Sequence, residues 1–125
     1  MAKTGGFDDT FATLRGVLAR HAKTLIVQID QPGNYQVCSP TMTDRIGRPL
    51  FVAAVQKKKN YVSFHLMPVY ACPDLVEKLS PSLRQRMQGK SCFNFTTIDA
   101  AHVKELSALT KKGIARFKTV KLPWA

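Results

Sequence analysis

Leu50-Phe51-Val52-Ala53-Ala54-Val55-Gln56, then Lys57-Lys58-Lys59-Asn60, then Tyr61-Val62-Ser63-Phe64-His65-Leu66-Met67, is the stretch that decides the fold. Two runs rich in β-branched and aromatic residues flank a short, highly charged tip. That pattern predicts an antiparallel hairpin with strands over 50–56 and 61–67. In the second strand Tyr61, Ser63, His65 and Met67 share one face, and Val62, Phe64 and Leu66 share the other.

Toward the N-terminus a second hairpin is expected. Thr24 to Asp30 reads as a strand, Gln31-Pro32-Gly33-Asn34 as a turn, and Tyr35 to Ser39 as a short return strand ended by Pro40. Residues 41–48 read as a polar loop with Arg45, Gly47 and Arg48. Before the first strand, Phe7, Phe11, Leu14, Leu18 and His21 recur at helical spacing, with Asp8 and Asp9 at the positive helix start.

Toward the C-terminus, Pro73 and Pro81 suit first helical turns, Ser80 is a cap candidate and Gly89 a stop signal, so short helices are predicted over 73–79 and 81–88. Residues 91–96 read as a further strand. Asp99 starts the last helix, with Ile98 and Val103 placed as a hydrophobic staple. Val103, Leu106, Leu109, Thr110, Ile114 and Phe117 gather on one side of that helix, and Lys104, Lys111 and Lys118 form a stripe seven residues apart beside it. The expectation is an α+β domain: a single antiparallel sheet of about five strands, with N- and C-terminal helices packed on one face. Residues 1–6 read as a loose lead-in, 7–118 as one domain and 119–125 as a short tail.

The chain has 125 residues, 45% of them hydrophobic and 22% charged, which suits one globular domain rather than a disordered or collagenous chain. Its balance is strongly basic: 19 Lys and Arg against 8 Asp and Glu, a net charge of +11. Such a surface attracts anions, whether nucleic acid, a small anionic ligand or an acidic protein. Thirteen of the basic residues lie in 57–125. Three cysteines, Cys38, Cys72 and Cys92, contain no close pair and no even-numbered disulfide framework. With no leader-like start and no membrane-length apolar run, a cytoplasmic protein without a membrane role is expected, as monomer or homodimer.

No metal site is expected, since the His and Cys residues lack the close pairs that zinc sites use. Gly89-Lys90-Ser91 lacks the first glycine of a phosphate loop and runs helix to strand, the wrong order. Nucleophilic catalysis needs a base and an orienting group beside the nucleophile. Cys92 follows Lys90, but no acidic orienter is apparent.

Leu50–Val55, Asn60–Tyr70 and the run Leu83 to Phe95 resemble a bacterial branch of the YdhG-like domain-of-unknown-function superfamily. The stretches SFHLMPVY and MQGKSCFNF carry most of that similarity. Cys38-Ser39-Pro40, Phe51-Val52-Ala53-Ala54 and Gly89-Lys90 stand where the superfamily has Gly-x-Pro, Phe-Ala-Ala and Gly-Lys; the first lacks the glycine and the second has a Val inserted. The resemblance implies a compact α+β domain without assigned catalytic residues. Some members are described as frataxin-like iron chaperones. Holding a hard cation takes oxygen ligands, and Asp8-Asp9 is the only adjacent acidic pair here.

Three functional readings follow. The first is a non-enzymatic binding module for a small anionic ligand or an acidic partner, with His65, Tyr70, Lys90 and Cys92 as the ligand site and no cofactor. The second is a nucleic-acid binder using Lys57, Lys58, Lys59, Lys104, Lys111 and Lys118, with Arg84 and Arg86 as further basic groups. The third is a thiol- or histidine-dependent enzyme centred on Cys92 or His65.

Overall fold

The structure is a computed structural model that describes residues 6–89 and 91–118. Residues 1–5 of the lead-in expected over 1–6, the tail 119–125 and Lys90 lie outside the described residues, and Gly6 opens the first helix instead of belonging to a loose segment. The chain is an α+β domain with one antiparallel sheet and helices near both ends.

Helix α1 (Gly6–Arg20) precedes β1 (Ile26–Gln31), β2 (Asn34–Thr43), β3 (Pro49–Lys57) and β4 (Val62–Leu66). Three short helical segments follow: α2 (Met67–Ala71), a 3-10 turn (Pro73–Val76) and α3 (Pro81–Arg84). Strands β5 (Met87–Gln88) and β6 (Cys92–Phe95) precede α4 (Ala100–Phe117). The sheet order is β1-β2-β3-β4-β6-β5, six strands rather than about five. The decisive hairpin is present, with Val55 opposite Phe64 and Ala53 opposite Leu66.

Local chemistry accounts for the limits of each element. Pro32 presets φ in the β1–β2 turn, and Gly33 takes φ 78°, a conformation that L side chains resist. β2 runs past Pro40, where the expected strand ended. β1 pairs with β2 only up to Cys38, so the missing N–H of Pro40 deprives no neighbour on that side. β4 ends one residue early, and Met67 starts α2 with Pro68 in its first turn, where a fixed φ is suited. The predicted helix over 81–88 stops at Arg84. Met87 then pairs with Phe93, and the Asn94 N–H donates to the Arg86 carbonyl at 2.8 Å. Sheet pairing overrides the helical preference of those residues.

The core lies between the sheet and the helices. Phe64, Phe93, Phe95, Leu66 and Val55 on the strands meet Leu14 and Leu18 of α1 and Leu106 of α4, all essentially inaccessible. α4 has the start expected of it: the Asp99 carboxylate accepts from the His102 N–H at 2.8 Å. Gly113 lets α4 pass close to α2, where an added Cβ would stand 3.1 Å from that of Pro68.

A β-bulge shapes the middle of the sheet. Val37 faces Ala53, but Cys38 faces Phe51, so Val52 is the extra residue. Val52 and Ala53 both join the core, and Phe51 turns to the opposite face, where its ring meets His65 edge-on at 5.0 Å.

Candidate functional site

Two surfaces carry the residues singled out above. The first is the sheet face away from the core. There His65 is the register partner of Cys92, and Ser63 of Asn94. The His65 Nε2 and Ser91 hydroxyl form a 2.8 Å hydrogen bond. Burial holds the His65 imidazole below the usual histidine range, so it is neutral at pH 7. Further along, Gln28 Oε1 accepts from Gln36 Nε2 at 2.6 Å and from the Cys38 thiol at 3.0 Å. Burial also raises the Cys38 pKa. This face is polar, internally hydrogen-bonded and uncharged at its centre. His65 and Cys92 meet there. Tyr70 lies on α2 and is 45% exposed, and Lys90 falls outside the described residues.

The second surface is formed by the end of α1 and one side of α4. Arg20, His21, Lys104, Ser107 and Lys111 line a cleft of about 570 Å³. An adjoining cleft of about 240 Å³ adds Lys23 and Lys118. Arg20, His21 and Lys111 belong to both, so the two are continuous. Helical geometry puts Lys104, Lys111 and Lys118 about 10.5 Å apart, a row of about 21 Å. His21 sits inside it, with Nε2 and the Ser107 hydroxyl 2.7 Å apart. Burial first, and then the charges of Arg20 and Lys111, hold its imidazole below the usual range.

Five of the eight acidic residues are engaged elsewhere. Asp30 pairs with Arg15 at 2.7 Å, Asp8 with Lys57 at 2.7 Å, Asp44 with Arg48 at 3.3 Å, and Asp74 with Arg116. Glu105 accepts from the Ser80 backbone and hydroxyl, tying α3 to α4. Among the described residues, Arg20, Lys23, Lys104, Lys111 and Lys118 have no ion-pair partner.

The Lys stripe is therefore joined by Arg20 and Lys23, which the sequence reading did not include. Nothing in the local pattern marks them, because α4 follows them by some eighty residues. The tip Lys57, Lys58 and Lys59 does not join this group. Lys57 binds Asp8 at the start of α1, whereas the clefts lie at its end, about 20 Å along the helix. Arg84 and Arg86 are exposed and line neither cleft.

One further constellation has the chemistry of a nucleophilic triad but not its geometry. The Ser82 hydroxyl lies 2.7 Å from His102 Nε2, and His102 Nδ1 lies 3.8 Å from Asp99 Oδ1. The second distance is too long for a hydrogen bond, and Asp99 Oδ1 already serves the His102 backbone as a cap. Among the described residues no three His, Cys, Asp or Glu side chains gather to hold a metal ion, and no helix is long and apolar enough to cross a membrane.

No family model matches the chain, and no curated protein or solved structure matches it significantly.

Proposed function

We propose that this protein binds the phosphate backbone of nucleic acid through the α1–α4 face and catalyses no reaction on it. The observation that carries the reading is the meeting of Arg20, Lys23, Lys104, Lys111 and Lys118 around two continuous clefts, without a carboxylate paired to any of them among the described residues. Unpaired cations in a row release counterions when they meet phosphates. The row spans about 21 Å, the rise of about six nucleotides at 3.4 Å each. Among the described residues His21 is the sole aromatic ring lining either cleft, and none of them offers a Phe, Tyr or Trp platform for bases. Binding is therefore governed by phosphate charge rather than sequence.

Membership of the YdhG-like superfamily belongs to the same proposal. Val52, the residue inserted in the Phe-Ala-Ala pattern, is the extra residue of the bulge, and regular pairing resumes at Val37–Ala53 and runs to Asn34–Gln56. Cytoplasmic residence is also proposed. Cys38, Cys72 and Cys92 are free thiols, as a reducing compartment favours.

The test is anisotropy of a labelled duplex across a salt series. Five phosphate contacts predict a log–log slope of about −4.5, and Lys104, Lys111 and Lys118 changed together to Gln remove about 2.7 of it. A flat slope, or a triple variant that binds as the parent does, overturns the reading. Binding of an acidic peptide but not of the duplex assigns the face to an acidic protein instead.

A further inference from the structure

The smaller basic cleft opens beside a second, apolar space. A cavity of about 270 Å³ lies between the end of α4, β2 and β3, and Leu25, Met42, Val52, Ile114 and Phe117 supply its apolar walls. Ser39 also lines it, but its oxygen is engaged within its own strand, accepting from the backbone N–H groups of Thr41 at 3.2 Å and Met42 at 2.9 Å. Val52 is the bulge residue, and bulges re-aim side chains beside binding sites. Thr24, Ile114 and Lys118 line both this cavity and the basic cleft. The apolar space therefore meets the cationic surface at its mouth.

We infer that this cavity is a binding site for a small apolar carboxylate, with its body inside and its negative end beside Lys118. The size fits: an apolar cavity of about 150 Å³ accepts benzene, so the larger space here takes a substituted ring or a chain of about eight carbons. The charge fits as well. One lysine shared between cavity and cleft matches one negative charge, and ligand pockets typically join apolar walls to a few placed polar groups. The ligand would stand over part of the proposed phosphate face, but the inference rests on the cavity. Failure of duplex binding would leave it standing.

The test is calorimetric titration of the full chain with octanoate and with octanol, the same body without the charge. Octanoate is expected to bind saturably with one site, and octanol about 10- to 100-fold more weakly, the usual worth of a charged hydrogen bond. Met42→Trp, which fills the cavity from a half-buried wall position, should abolish octanoate binding while circular dichroism and the melting temperature stay native. Leu25→Trp fills it from another wall position should the first variant fail to fold. Absence of saturable octanoate binding, equal binding of octanol, or unchanged binding in a folded Trp variant overturns the inference.

Discussion

The two sides of this domain have opposite electrostatic designs. On the open sheet face, imidazole, thiol, hydroxyl and amide groups satisfy one another, and His65 is held neutral by burial. On the α1–α4 side, cations stand around a histidine that is itself held neutral by burial and by their charge. Residues 63–65 and 92–94 build the middle of the first side, while Arg20, Lys23, Lys104, Lys111 and Lys118 gather on the second. Satisfied polar groups and gathered charge thus fall in different places. A net charge of +11 becomes informative only when the fold shows where it gathers.

The largest expected effect separates the core from the open face within one strand. Phe93 is fully buried and Asn94 points to the opposite side. Phe93→Ala should cost about 3–5 kcal/mol, and Asn94→Ala within about 0.5 kcal/mol, read from urea unfolding. Equal costs would mean that the open face is packed as a second core.

Next comes the contrast in binding. The triple Gln variant at Lys104, Lys111 and Lys118 should lose about 10²- to 10³-fold in duplex affinity near 0.1 M salt. Changing Gln36, Ser63 and Asn94 together to Ala should leave that affinity unchanged. Loss in the second variant would move the binding surface to the sheet.

A smaller effect concerns how α4 is held. Asp99→Ala removes its cap and should cost about 1 kcal/mol, seen as a lower urea midpoint, with the salt slope of duplex binding unaltered.

The smallest effects distinguish the two half-buried histidines by pH. Both have folded-state values below the unfolded one of about 6.5. Each therefore contributes stability that is full above that value and lost as pH falls through the folded one. His65→Gln should flatten this acid-side loss without touching binding. His21 differs because a bound phosphate favours its charged form. Duplex affinity should rise as pH falls from 7 toward 5.5 at fixed salt, and His21→Gln should remove that rise.

Much of the fold was legible because periodicity reports burial directly. The hairpin around Lys57–Asn60, the apolar stripe of α4 and the caps at Ser80 and Asp99 are local signals, and each is present. What the sequence hid depends on partners distant along the chain. Met67 continues an alternating pattern, yet Pro68 turns the chain into α2. Gln85 to Gln88 read as helix, yet β6 draws Met87 and Gln88 into the sheet. The candidate surface shows the same limit. The spacing of Lys104, Lys111 and Lys118 was visible, but the approach of Arg20 and Lys23 follows from the packing of α1 on α4.

The most direct test is an amide NMR footprint of the protein titrated with a short duplex at low salt. Phosphate binding on the α1–α4 face predicts shifts clustered at Arg20, His21, Lys23, Lys104, Ser107, Lys111 and Lys118, with Ser63, His65, Cys92 and Asn94 unmoved. Shifts centred on His65 and Cys92, with the α1–α4 cluster silent, would contradict it.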